Sequence, residues 1–219
     1  MYRDNSCCSI GDIMGKIVYL MGKSSSGKDT IYKRLLEQKE ILFHTLVLYT
    51  TRPIRAGETD GVEYHFTDEA GFEKLQREGK IIEDRTYHTV QGMWRYFTVA
   101  GDEIFEERKN YLMIGTLESY EKVRRYFGND RMIPVFIDLD DGERLKRALD
   151  RERAQDVPQY EEMCRRFLAD VQDFSEEKIA AAGIGRRFIN IDLDRCLAEI
   201  LEYIKGKCGA AVPCAEAEK

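Results

Sequence analysis

The chain has 219 residues, 43% of them hydrophobic and 34% charged, enough to enclose one substantial core beneath a charged surface. Its formal charge of −6 excludes a general nucleic-acid coat, so a polyanionic ligand has to be held by a local cationic pocket. The longest apolar runs, 17–21 and 132–137, are far short of the roughly 20 residues that span a bilayer, and no apolar leader precedes them. Neither a membrane segment nor secretion is expected.

In chain order, residues 1–14 lack periodicity and are expected to be disordered. Short apolar runs at 16–21, 45–50, 111–115, 132–138 and 187–191 read as buried strands. Helical patterns alternate with them at 28–39, 117–127, 141–151, 159–177 and 193–204, the last with Asp192 as its cap. This alternation predicts an α/β domain over 15–205, a doubly wound parallel sheet with ligands at the carboxyl ends of its strands. Residues 51–100 interrupt the rhythm with a polar loop, short strands near 63–66, 80–87 and 95–99, and a helix near 68–78, the pattern of an inserted subdomain. Residues 206–219 read as a flexible tail. The six cysteines (Cys7, Cys8, Cys164, Cys196, Cys208, Cys214) form no CxxC pair and no zinc spacing, so they read as reduced thiols in a cytoplasm. His44, His65 and His88 have no partners for a triad or metal site.

Directly after the first strand stands Gly22-Lys23-Ser24-Ser25-Ser26-Gly27-Lys28-Asp29-Thr30, a GxxxxGK[ST] phosphate loop with Asp29 in place of the final hydroxyl residue. Strand, glycine turn and helix start aim backbone N–H groups at a phosphate, and Lys28 reaches the outer phosphates of ATP. Asp29 has two readings. It is either a hard oxygen ligand for magnesium or a carboxylate that favours the helix N-terminus, in which case Thr30 supplies the hydroxyl by a shifted register.

From Thr50 the chain reads Thr-Thr-Arg-Pro-Ile-Arg-Ala-Gly-Glu-Thr-Asp-Gly-Val-Glu-Tyr, which brings Arg52, Arg55 and Tyr64 into one polar loop. Two guanidiniums and a phenol can clamp a phosphate, whereas alone such a stretch reads as a solvated charged loop. Together with the upstream phosphate loop, this TTRPxRxGExxGxxY pattern resembles the monophosphate-binding signature of the guanylate kinases, over about 15–204. The resemblance implies a P-loop kinase core with an acceptor-binding subdomain (about 51–100) and a lid (about 150–166). It implies an enzyme that transfers the γ-phosphoryl group of ATP, with magnesium, to a nucleoside 5′-monophosphate, GMP first and dGMP next.

On that resemblance Arg52, Arg55 and Tyr64 hold the acceptor phosphate, Glu83 reads the base, and Tyr96 and Thr98 complete the phosphate and base contacts. A carboxylate suits guanine, whose N1–H and N2–H donate to it. Asn190 resembles an asparagine near the donor adenine; otherwise it reads as a loop or cap residue. Arg144, Arg147 and Arg151 recur on one helical face. Arg147, Arg151 and Arg166 resemble lid arginines that neutralise charge on the transferring group, against the alternative of a solvated ion-paired face.

Several positions depart from the family pattern. Leu48 or Tyr49 stands where a serine is usual, Phe97 replaces a glycine, and the segment from Glu83 to Tyr96 is longer, with Gly92, Met93 and Trp94. Ile114 and Thr116 occupy positions where acids serve magnesium and the base, so on this reading Asp29 compensates for lost metal-side charge and Thr116 or Glu118 contacts the base. Rival readings are a kinase of another phosphorylated acceptor, such as ribose bisphosphate or a different nucleotide, and a non-catalytic module that binds a phosphoprotein. A monomer or a homodimer is expected, with no nucleic-acid polymer as partner.

Overall fold

The computed structural model describes residues 15–55, 57–62, 64–89, 92–100 and 109–208. The first half runs β1 (Ile17–Met21), α1 (Lys28–Leu36), β2 (Phe43–Thr45), β3 (Tyr49–Thr50), β4 (His65–Phe66), α2 (Glu69–Arg77), β5 (Ile81–Thr89) and β6 (Gly92–Val99). The second runs β7 (Asn110–Gly115), α3 (Leu117–Phe127), β8 (Met132–Asp138), α4 (Asp141–Arg153), α5 (Tyr160–Asp173), α6 (Glu176–Ala181), β9 (Arg187–Ile189) and α7 (Leu193–Cys208).

The main sheet is parallel, in the order β2-β7-β1-β8-β9. β1 lies at its centre, and all five of its residues are buried. Its side chains alternate between two cores. Ile17, Tyr19 and Met21 pack with Leu117, Tyr120 and Val123 of α3 and Ile179 of α6, while Val18 and Leu20 pack with Ile31 and Leu35 of α1 and Leu197, Ile200 and Ile204 of α7. A strand covered on both faces has no polar position, which is why this run reads as unbroken apolar sequence. Short side chains set the helix starts: Asp68 caps α2, Thr116 α3, Asp140 α4, Ser175 α6, and Asp192 accepts from the Arg195 amide at α7.

A second sheet, β4-β3-β6-β5, forms the inserted unit. On one face Phe97 and Val99 pack against Phe72 of α2, with Tyr49 and Ile81 beside them. The other face carries Glu83 and Arg85 of β5 opposite Thr98 and Tyr96 of β6.

Five sequence expectations change. The run at 45–50 is not one strand: β2 pairs with β7 in the main sheet, β3 pairs with β4 and β6 in the second, and residues 46–48 carry the chain between them. The helix expected over 159–177 breaks after Asp173, because Phe174 buries its ring against Phe136 and Ser175 starts a new helix by accepting from the Lys178 amide. The first helix ends at Leu36 and the last strand at Ile189. The last helix runs through Cys208, so 206–208 are helical, and the expected disorder at 1–14 and the rest of the expected tail lie outside the described residues.

Phe188 on edge strand β9 is fully buried between β8 and α7, its ring 5.4 Å from that of Tyr203. Phe188→Ala is expected to cost about 3–5 kcal/mol of stability, read as a lowered midpoint in denaturant unfolding.

Candidate active site

The phosphate loop leaves β1 at Gly22 and closes on Gly27, the N-cap of α1. Gly27 has φ 88°, and a Cβ there would lie 2.2 Å from Asn190 Nδ2. Only glycine tolerates both conditions. Asn190 uses that space to donate to the Ser26 carbonyl at 2.7 Å, and the Arg147 guanidinium donates to the Asn190 carbonyl at 2.9 Å. Ser25, at φ 62°, is the only non-glycine residue with positive φ among the described residues. The Ser25 and Ser26 hydroxyls are buried without hydrogen-bond partners. A strained turn with spare hydroxyls beside a helix start is a built anion cradle.

The opposite wall of the loop is held by groups that sequence reasoning left without a role. Arg144 is buried, donating to the Ser24 carbonyl at 3.0 Å and to Asp170 at 2.7 Å, and the same Asp170 oxygen accepts from the Ser24 amide at 2.8 Å. Lys23 reaches Asp141 at 3.3 Å. Of the arginines expected in the lid, the structure brings Arg147 to the loop. Arg151 lies 3.8 Å from Glu152, and Arg166 pairs at 2.7 Å with Glu162, each on its own helix. Hydrogen bonding from Arg165, opposed by burial and helped by Arg166, holds the Glu162 carboxyl down at about 2. A lowered carboxyl pKa keeps this pairing intact at neutral pH, and it dissolves only as pH falls toward 2.

Lys28 Nζ lies 3.5 Å from the exposed carboxylate of Asp29, and Thr30 is exposed one residue on. Among the described residues no group of three or more His, Cys, Asp or Glu could cage a metal ion. A single carboxylate beside a phosphate cradle fits magnesium held mainly by substrate phosphates and water. Ile114 is packed into the apolar cluster with α1 and α7, and the Thr116 hydroxyl accepts from the Ser119 amide as the cap of α3.

Beside the second sheet, Glu58 organises the loop between β3 and β4. Its carboxylate takes two hydrogen bonds from buried Arg52, at 2.7 and 3.0 Å, and one from the Arg55 amide at 2.7 Å. The Arg52 pairing, with the Arg55 amide bond in support, lowers the pKa of Glu58. The arginine side chains thereby separate. Arg52 lies over the Tyr64 and Phe66 rings, while exposed Arg55 lies over Trp94 at 6.0 Å. Tyr64 meets Tyr96 edge-on at 5.5 Å. Behind them Thr98 donates to Glu83 at 2.9 Å. The sequence signal for Glu58 was its place in Arg-x-Gly-Glu, three residues after the Arg55 whose amide it caps.

The two halves meet at a cleft of about 610 Å³ whose lining includes Arg85, Thr86 and Tyr87 of β5, Thr116 and Leu117 at the start of α3, and Lys178 of α6. Tyr19, from the strand that ends in the phosphate loop, donates to Ser119 at 2.7 Å. Burial, reinforced by the charge of Glu83, raises its pKa, so it stays a neutral donor. Gly27→Ala places a methyl where Asn190 stands. It is expected to weaken binding of a non-hydrolysable ATP analogue at least tenfold, by titration calorimetry, while circular dichroism still reports a folded chain.

The guanylate kinase family model matches residues 14–177. The guanylate kinase of Porphyromonas gingivalis is 26% identical over 194 residues, spanning 87% of this chain and 97% of that one. The guanylate kinase of Zymomonas mobilis is 26% identical over 186 residues, or 85% and 81% of the two chains. In fold, the chain is similar to the crystal structure of guanylate kinase from Anaplasma phagocytophilum, with a TM-score of 0.56 at 22% identity over 90% of this chain and 88% of that one. The matched span takes in the phosphate loop, the whole second sheet and both helices of the expected lid, and on it the chain belongs to the guanylate kinase family.

Proposed function

We propose that the protein uses ATP to phosphorylate GMP to GDP. The observation that carries this reading is the junction of two phosphate-directed sites: a phosphate cradle at the end of β1, and a loop of arginine and tyrosine on a sheet that shares a cleft with the start of α3. The loop amides of Gly22, Lys23, Ser24, Ser25, Ser26 and Gly27, with Lys28, bind the donor phosphates, and Asn190 shapes that loop beside the adenine side. Arg52, Arg55 and Tyr64 hold the acceptor phosphate, with Tyr96 and Thr98 behind them. An oxygen of that phosphate attacks the γ-phosphorus, the bond from the γ-phosphorus to its bridging oxygen breaks, and ADP departs. The attacking oxygen is already anionic, so no general base is required, and positioning and charge neutralisation do the work.

The second sheet serves as the acceptor subdomain and residues 150–166 as the lid. Arg147 stands at the loop in this arrangement; Arg151 and Arg166 join it on closure, Arg166 exchanging Glu162 for a phosphate. Asp29 and the substrate phosphates would hold magnesium, which would supply charge neutralisation at the donor phosphates. Cys164, Cys196 and Cys208 are free thiols, which suits a reducing cytoplasm.

An ATP-coupled ADP-release assay across GMP, dGMP, AMP, CMP, UMP, IMP and ribose bisphosphate tests the reading. GMP is expected to give the highest kcat/KM, and turnover of ribose bisphosphate alone would overturn it. Lys28→Ala is expected to abolish turnover in a chain that still folds, and a wild-type rate in that variant would exclude the loop from catalysis. Asp29→Ser is expected to raise severalfold the magnesium concentration needed for half-maximal turnover; an unchanged magnesium titration would leave Asp29 as a charge at the helix N-terminus only.

A further inference from the structure

The face of β5 and β6 that opens on the cleft contains an ion pair that the phosphate chemistry does not use. The Glu83 side chain is only 1% exposed, its Oε1 is taken by Thr98, and its Oε2 is buried with no hydrogen bond. Arg85 Nε, also buried without a hydrogen bond, lies 3.4 Å from that Oε2. The Arg85 side chain is 19% exposed and lines the cleft, whereas Glu83 does not. No described residue accepts a hydrogen bond from the Arg85 guanidinium. Arg85 therefore stands between Glu83 and the space into which a base would enter, its fork free to donate.

Three further facts fix its charge and direction. Burial disfavours the Arg85 cation, but the Glu83 carboxylate beside it outweighs that cost and its pKa is raised, so it is a permanent donor. Strand alternation puts Arg85 on the same face as Glu83, directly opposite Tyr96. Of the two positions from which a base contact was expected, Thr116 already accepts from the Ser119 amide as the cap of α3, and Glu118 is paired with Lys122 at 3.0 Å. A guanidinium presents parallel N–H donors, and the purine edge that matches them is the O6 and N7 acceptor pair of a 6-oxopurine.

We infer that Arg85, not Glu83, is the residue that reads the acceptor base: it donates to O6 and N7 of a 6-oxopurine monophosphate, while Glu83 and Thr98 hold it from behind. This inference rests on the nucleoside monophosphate kinase reading and names its specificity determinant. It replaces the direct Glu83 contact expected from the sequence, because a carboxylate that reads N1–H and N2–H has to meet the base, and here Arg85 covers it. The two arrangements differ in what they ask of the substrate. Reading O6 and N7 ignores the 2-amino group, so IMP serves nearly as well as GMP. AMP is rejected because its N6 amine opposes a donor with a donor.

The test is kcat/KM for GMP, IMP, AMP and 7-deaza-GMP, with KM for ATP, in the wild type, Arg85→Ala, Arg85→Lys and the double variant Arg85→Ala with Glu83→Gln. The double variant removes the unpaired buried carboxylate that Arg85→Ala alone would leave. Expected are IMP within a few-fold of GMP and 7-deaza-GMP about tenfold poorer in the wild type. In Arg85→Ala and in the double variant, GMP is expected to fall about tenfold to hundredfold, the 7-deaza penalty to vanish and KM for ATP to stay unchanged, with Arg85→Lys between. An equal loss for GMP and 7-deaza-GMP would make Arg85 structural and overturn the inference. So would a wild type that takes 7-deaza-GMP as readily as GMP, or one that rejects IMP by the same large factor with and without Arg85. A wild type that phosphorylates no purine monophosphate at all removes the kinase reading itself, an outcome distinct from these.

Discussion

The buried guanidinium of Arg144 is the joint on which the loop between β1 and α1 depends. It reaches the Ser24 carbonyl, Asp141 and Asp170, and Asp170 returns a hydrogen bond from the Ser24 amide. One cation thus ties that loop to α4 and α5, so the loop cannot shift without moving both helices. Breaking such a buried pair by removing one partner costs roughly 3–5 kcal/mol, because the other charge is left uncompensated. The Arg147 and Asn190 contacts close the far side of the loop. The loop is therefore gripped from two elements, and that grip holds Ser25 in a backbone conformation that other residues rarely adopt.

The loop between β3 and β4 uses the same economy. Glu58 gathers Arg52 and the Arg55 backbone into one bend, which directs one guanidinium inward over aromatic rings and leaves the other exposed. The residues that lengthen the segment between Glu83 and Tyr96 extend the β5–β6 ladder as far as Thr89 and Gly92, adding Tyr87 opposite Trp94 along the face that bears Arg85. Both devices convert local hydrogen bonding into placement of charge, the quantity on which phosphoryl transfer depends.

The unbroken apolar run at 17–21, the glycine-rich turn after it and the Thr-Thr-Arg-Pro loop carry their meaning within short windows, because strand burial and loop curvature are local demands. From these the parallel core, the turn between β1 and α1 and the cap at Asp192 were legible without coordinates. The strand expected across 45–50 misled because apolar residues look alike whether they pair in one sheet or cross between two. The break at Phe174 was hidden because a ring buried against Phe136 is a tertiary event with no helical period of its own.

What the sequence by itself determined is the set of groups and their spacing: a glycine-rich turn after a buried strand, two arginines and a tyrosine in one loop, arginines at helical spacing, a carboxylate on a strand. What only the tertiary structure decided is which of them meet. Arg144, Arg147 and Arg151 share one periodicity, yet the first is buried under the phosphate loop, the second touches Asn190 and the third is exposed. Glu83 and Arg85 share a strand face, yet one lies behind the other. Periodicity places a residue on a face, but burial and partner depend on long-range packing between segments such as Ser24 and Asp170, far apart in the chain. A charge finds its role only once folding has chosen its neighbours.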